Sequence, residues 1–259
     1  MPFVDLPPLR IHYRIDGASN APVVMLSNSL GADLAMWDPQ LPALAQRYRV
    51  LRYDTRGHGQ SSAPPGPYTT EQLARDALAL LDTLAISRVR FCGLSMGGVI
   101  GQQLGLHAAK RLERLVLAST AAKIGTDQTW KARIDAVRNG GIESVADAVL
   151  ARWFTPNFLT RTPEVVASVR KTMIAADRDG YIGCCEAIRD TDLREDVSRI
   201  GTPTLIISAT HDVSTPPVDG RFLADRISDA RYIELDAAHV SNIEAPDQFT
   251  AALLEFFEE

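Results

Sequence analysis

The sequence predicts an α/β protein: a mainly parallel central sheet with helices on both faces and a helical insertion. Three observations carry that expectation. Short apolar strand patterns alternate with amphipathic helical patterns over most of the chain. The alternation lapses over residues 121–189, where strand signals vanish and helix formers dominate. It then resumes as two further strand–helix pairs before the end. The length of 259 residues suits one large domain carrying an insertion. Residues 1–120 and 190–259 are the expected core, and 121–189 the expected lid.

Residues 10–16, RIHYRID, alternate like a half-buried strand, and 23–27, VVMLS, form a short run suited to a strand buried on both faces. Residues 37–48 have helical spacing, with Leu41, Leu44 and Ala45 on one side. The next strand is 49–54. Residues 70–84 read as a helix with Thr70 as N-cap and Leu73, Ala77, Leu80, Leu81 and Leu84 on one face. A strand over 89–94, a helix over 95–107 and a strand over 112–119 follow. The insertion is expected to break at Gly140-Gly141, Pro156, Pro163 and Gly180. Strands return at 203–208 and 230–235, followed by helices at 217–227 and 246–257. Such sheets bind ligands outside the carboxyl ends of their strands. An insertion after the 112–119 strand would lie over that edge.

Composition narrows the function. Charged residues make up 23% and hydrophobic residues 46%, an ordinary globular balance. A net charge of −5 gives no basic surface for nucleic acid. No apolar run approaches the roughly 20 residues of a membrane helix, and the first residues lack a basic then apolar leader. Cys92, Cys184 and Cys185 are odd in number, and two are adjacent, so no disulfide framework is expected. A soluble cytoplasmic protein with reduced thiols is the expectation.

Gly93-Leu94-Ser95-Met96-Gly97 fits G-x-S-x-G and sits between an expected strand and an expected helix. That context defines a nucleophile elbow, a sharp strained turn that presents the serine. A side chain at Gly93 or Gly97 would strike neighbouring backbone, and Gly98 lets the next helix pack closely. The plainer alternative is a Gly-rich turn with a capping serine.

Four stretches carry a family resemblance: SNSLGADLAMWDPQLPAL, RVLRYDTRGHGQSSAPPGPYT, FCGLSMGGVIGQQLG and YIGCCEAIRDTDLR. By these the chain resembles the α/β-hydrolase family over essentially its whole length. Within that family it most resembles the 3-oxoadipate enol-lactonases, although related esterases and cofactor-free haloperoxidases share several of the stretches. The resemblance implies a serine hydrolase that opens a small carboxylate-bearing lactone in aromatic catabolism.

A serine nucleophile needs a base and an acid that holds it. Of five histidines, His12 lies in an early strand, and His107 lies roughly 18 Å from Ser95 along its helix at 1.5 Å per residue. His58, in a turn after a strand, could line the site but has poor reach. His239 follows the last strand, at the carboxyl edge, and satisfies the family order of serine, acid, histidine. Asp212 matches the family's acidic position before a proline; His211 comes one residue early, and Asp236 is the competing acid. Asp54 is read as bracing a turn. The two oxyanion-hole amides are expected from Met96, after the nucleophile, and from Leu30, where many relatives carry His-Gly and this chain has Asn28-Ser29-Leu30-Gly31. Ser29 adds a hydroxyl nearby.

A substrate carboxylate calls for a cation or strong donor. The insertion offers Trp130, Lys131, Arg133, Arg138, Arg152 and Trp153. Trp130 and Arg133 are three apart and share a helix face, an aromatic wall beside a guanidinium. The plainer alternative is an exposed arginine and a packed tryptophan. Cys184 and Cys185 read as core packing. No metal or nucleotide motif occurs, and no cofactor is expected. The expected partner is a small lactone or ester, with neither nucleic acid nor membrane. Three rivals stand beside the lactonase reading: a broader carboxylesterase, a cofactor-free haloperoxidase, and a non-catalytic ligand receptor.

Overall fold

The structure is a computed structural model in which residues 2–259 are described. Eight strands form one sheet: β1 (Phe3–Leu6), β2 (Leu9–Asp16), β3 (Val23–Ser27), β4 (Arg49–Tyr53), β5 (Val89–Leu94), β6 (Leu112–Ala118), β7 (Thr204–Ala209) and β8 (Ala230–Leu235). Their spatial order is β1-β2-β4-β3-β5-β6-β7-β8. The β1–β2 and β2–β4 pairs are antiparallel, and every other pair is parallel. Strand β1 escaped the sequence reading. It has four residues, lies at the edge, and buries only Val4.

The helices are α1 (Leu41–Leu44), α2 (Thr70–Thr83), α3 (Met96–His107), α4 (Asp127–Gly140), α5 (Glu143–Trp153), α6 (Pro156–Arg161), α7 (Pro163–Ile174), α8 (Arg178–Asp190), α9 (Pro217–Arg226), α10 (Ser241–Glu244) and α11 (Pro246–Glu258). The crossover from β3 to β4 runs in one direction across the sheet, and those from β4 to β5 and β5 to β6 run in the other. Right-handed connections therefore put α1 on one face and α2 and α3 on the opposite face. The packing of α11 on α1 and of α2 on α3 agrees. In the centre, Phe91, Cys92 and Leu94 of β5 are wholly buried. Each large apolar side chain so buried contributes about 1.5–3 kcal/mol.

Two sequence expectations need correction. The helix expected over 37–48 is a 3₁₀ turn (Leu34–Trp37) followed by the single turn α1. Pro39 and Pro42 lack the N–H groups a continuous ladder needs. The N-cap of α2 is Thr69, which accepts from the Gln72 amide at 3.2 Å, and not Thr70. The Thr70 hydroxyl instead accepts from Gln103 at 2.9 Å and lies 2.8 Å from the Thr191 hydroxyl, tying α2 to α3 and to the end of α8.

Between β6 and β7 the chain is helical, from α4 to α8. Pro156 and Pro163 open α6 and α7, where a missing N–H costs nothing. Gly180 does not break the chain; it lies in the first turn of α8. Its reason is proximity. A Cβ on Gly180 would stand 2.5 Å from the Cα of Gly57, and a Cβ on Gly57 would stand 2.5 Å from the Cα of Gly180. The Asp177 amide also donates to the Gly57 carbonyl at 3.0 Å. Helix α8 thus meets the turn after β4 backbone to backbone.

Candidate active site

Strand β5 ends at Leu94, and Ser95 turns the chain into α3. Its backbone sits at φ 57°, ψ −112°, a strained conformation for a residue with a Cβ. The turn is held from several sides. The Ser95 amide donates to the Ala118 carbonyl at 2.9 Å, and the Thr120 hydroxyl donates to the Ser95 carbonyl at 2.8 Å. A Cβ on Gly93 would lie 2.0 Å from the Gly97 carbonyl oxygen, and one on Gly97 would lie 2.2 Å from the Ser27 carbonyl oxygen. A Cβ on Gly98 would strike the Thr120 side chain at 2.6 Å. The glycine spacing therefore has the steric cause the sequence suggested.

Loops after β7 and β8 bring Asp212 and His239 together. His239 Nδ1 lies 2.7 Å from Asp212 Oδ2, and the two side chains are 4% and 0% exposed. An ionised carboxylate only accepts, so Nδ1 carries the proton and Nε2 keeps the ring's lone pair. Asp212 Oδ1 accepts from the amides of Ser214 (2.7 Å) and Thr215 (3.0 Å), while Oδ2 also accepts from the Thr215 hydroxyl at 2.8 Å. Burial pushes this carboxyl's pKa up. The His239 charge and these hydrogen bonds outweigh that effect and leave it below the usual carboxylate value. The rivals pair elsewhere: His211 Nε2 lies 2.9 Å from Asp236, and both are exposed, at 54% and 87%.

The loop after β3 passes beside the elbow. Asn28 accepts from the Trp37 indole at 2.9 Å and donates to the Tyr53 carbonyl at 2.9 Å. The Ser29 amide points at the Met36 sulfur, at 3.4 Å. The Gly31 amide donates to His58 Nε2 at 2.9 Å, while His58 Nδ1 donates to the Arg56 carbonyl at 3.0 Å. Burial, partly offset by that carbonyl, lowers the His58 pKa and keeps the ring neutral, as an acceptor must be. Between these fixed neighbours the Leu30 amide has no acceptor among the described residues, and neither does that of Met96 at the start of α3. Asp54 braces the next turn, accepting from the Leu34 amide (2.8 Å), the Gln60 amide (2.9 Å) and His12 Nδ1 (2.7 Å).

Ser29, Leu30, Ser95 and His239 line one cavity of about 470 Å³, closed over by side chains of α4 and α5. Trp130, Arg133, Arg152 and Trp153 are among them. The Arg133 guanidinium lies 5.4 Å from the ring centroids of both Trp130 and Tyr181, and it donates through Nε to the Tyr181 hydroxyl at 2.9 Å. Arg152 has no hydrogen-bond partner among the described residues. Burial and the neighbouring Arg133 charge both lower its pKa, which places two cations side by side. Neither arginine pairs with a carboxylate among the described residues. The Trp153 and His239 rings lie 6.4 Å apart, tilted by 34°. Cys184 and Cys185 are buried, as expected, and burial raises both thiol pKa values, that of Cys185 to about 12. Among the described residues no group of three or more His, Cys, Asp and Glu side chains could hold a metal ion, and no helix is long and apolar enough to cross a membrane.

The structure places Ser29, Leu30, Ser95 and His239 with Trp130 and Arg133 of α4 around one cavity, Asp212 behind His239, and Met96 next to Ser95 at the start of α3. Sequence reasoning missed Thr215, three residues beyond Asp212, and the part His58 plays behind the Leu30 loop. It noted Arg152 and Trp153 only as members of the insertion. The S-T-P turn after Asp212 was a readable signal for Thr215, since Thr and Ser often bond a preceding Asp. Nothing local could have revealed the long-range His58 contact.

A model of the alpha/beta hydrolase fold family matches residues 22–246, and the chain belongs to that family. It is 42% identical to 3-oxoadipate enol-lactonase 2 of Acinetobacter baylyi, over 94% of this chain and 91% of that protein. The crystal structure of the enol-lactonase from Burkholderia xenovorans superposes with a TM-score of 0.98 at 51% identity, covering 100% of both chains. A thermophilic esterase from Thermogutta terrifontis, solved with malate bound, matches at TM-score 0.91 and 25% identity over 96% of this chain and 93% of that one.

Proposed function

We propose that this chain is a serine hydrolase that opens a small carboxylate-bearing enol-lactone, the 3-oxoadipate enol-lactone of its relatives, in aromatic catabolism. One observation carries the reading. His239, paired with the buried Asp212, and a strained Ser95 line a cavity with two arginines that no acid among the described residues neutralises. His239 Nε2 takes the Ser95 proton as Oγ attacks the lactone carbonyl, and Asp212 stabilises the imidazolium. The Leu30 and Met96 amides receive the oxyanion. The ring C–O bond breaks, the His239 imidazolium gives its proton to the departing enolate, and the resulting enol becomes a ketone. Water, activated by His239, then hydrolyses the acyl-enzyme and frees the new carboxylate. Arg133 and Arg152, beside Trp130, hold the carboxylate the substrate already carries, with Ser29 at the cavity wall. Residues 121–189 form the lid that supplies these groups.

The test is turnover of the enol-lactone by Ser95→Ala and His239→Ala, each expected to lose about 10⁴-fold or more in kcat. Near-normal turnover by either folded variant would exclude the mechanism. A parallel series of p-nitrophenyl esters separates a lactonase from a broad esterase. A folded wild-type protein whose Ser95 resists a fluorophosphonate would instead be a ligand receptor.

A further inference from the structure

The two backbone amides that flank His239 are both tied to the insertion, that of Val240 directly and that of Ala238 through the Glu244 side chain. The Val240 amide donates to the Trp153 carbonyl at 3.1 Å. The Ala238 amide donates to Glu244 Oε2 at 2.9 Å. The same Glu244 carboxylate accepts from the Thr155 amide, at 3.2 Å through Oε1 and 3.3 Å through Oε2, and from the Thr155 hydroxyl. Thr155 is the N-cap of α6, two residues beyond Trp153, the last residue of α5. Trp153 in turn presents its ring toward the His239 ring from the cavity wall. One carboxylate thus joins the residue before His239 to the α5–α6 joint, and one carbonyl joins the residue after it to the same joint.

We infer that Glu244 is a positioning residue that locks the His239 loop to the α5–α6 joint, so that the base reaches its working place only when the insertion is seated. This rests on the reading of His239 as the base. Glu244 touches neither the cavity nor the reacting atoms, and acts through Ala238 and Thr155. The physical basis is geometric. Proton transfer from Ser95 needs His239 within hydrogen-bond reach, and a shift of about 1 Å at such a site can cost 10²-fold in rate. Without the carboxylate the Ala238 and Thr155 amides lose their acceptor together, and of these ties to the α5–α6 joint only the one to Trp153 remains, beside the Asp212 bond to His239. A glutamine can preserve the bridge. Its carbonyl oxygen can take the Ala238 amide while its amino group donates to the Thr155 hydroxyl.

The experiment uses the full chain and measures the second-order rate at which a fluorophosphonate attaches to Ser95. That rate reads base-assisted attack without needing the carboxylate pocket. Glu244→Ala is expected to slow attachment by about tenfold to 10²-fold, and Glu244→Gln to stay within about threefold of wild type. Thr155→Val alone is expected to slow it about threefold, and to add less than about twofold in the Glu244→Ala background. A wild-type rate in folded Glu244→Ala, equal losses in the alanine and glutamine variants, or fully additive effects of Glu244→Ala and Thr155→Val would each overturn the proposal. Should Glu244→Ala be too unstable to assay, unaltered rates in folded Thr155→Val and in folded Glu244→Gln/Thr155→Val would overturn it equally. Failure of the underlying site looks different, because the wild-type protein itself would then not label.

Discussion

Replacing Arg152 by Met removes a charge and keeps most of the stem. Arg152 has no acceptor among the described residues, so its loss orphans none of their groups. Burial and Arg133 hold its pKa below the ordinary value, so the folded chain tolerates this charge less well than the unfolded chain does. The melting temperature should stay level or rise. Activity should divide by substrate. A charge-assisted hydrogen bond contributes about 1.5–3 kcal/mol, and the partial exposure of Arg152 at the cavity rim argues for the lower end. About 1.5–2 kcal/mol corresponds to a tenfold to thirtyfold loss in kcat/KM on the anionic enol-lactone. Neutral p-nitrophenyl acetate should change by less than about twofold, because nothing on it meets the guanidinium. Steady-state kinetics on both substrates, at low and at moderate salt, decide the matter. The wild-type advantage on the lactone should shrink as salt screens the exposed cation. An equal fall on both substrates, or an unchanged rate on the lactone, would refute the assignment of a carboxylate to this pair of arginines.

Two further outcomes are expected. His58 is held neutral below its ordinary pKa of 6.5. The unfolded ring takes up a proton as the pH falls through that value, while the folded ring resists. The stability it contributes is therefore complete above about pH 6.5 and declines below it toward the folded value. Melting temperatures measured down to about pH 5.5 should fall more steeply for wild type than for His58→Gln; parallel curves would contradict this. Trp153 lines both the 470 Å³ cavity and a second, largely apolar one of about 320 Å³, and among the described residues it alone is common to the two. Trp153→Leu should join them and raise the ratio of p-nitrophenyl hexanoate to acetate hydrolysis. An unchanged ratio would mean that another side chain separates the cavities.

The strands over 89–94 and 230–235 and the helix after Ser95 were legible because apolar runs and periodic faces are local properties. The elbow was legible because its strand–motif–helix pattern is local and Gly93 answers Gly97 four residues on, although Gly97 and Gly98 answer Ser27 and Thr120 far along the chain. His239 and Asp212 could be chosen by their position after strands at one edge, since a parallel sheet gathers those loops. Other features depend on partners far along the chain. Thr70 serves Gln103 and Thr191 instead of capping α2, and Gly180 answers Gly57, more than a hundred residues away. Arg133 and Trp130 were found by helix spacing, but Tyr181, which fixes the guanidinium, comes from α8. Periodicity reports which face is buried and not what lies against it.

The meeting of Gly57 and Gly180 limits how this enzyme's roof can be exchanged. Both positions already carry the smallest side chain available, so a methyl group gained on one side cannot be compensated by shrinkage on the other. A chimera that takes helices from another member of the family needs hydrogen on both sides of the seam, or the transplanted segment will ride higher over the sheet and leave the chamber above the serine too tall for its substrate.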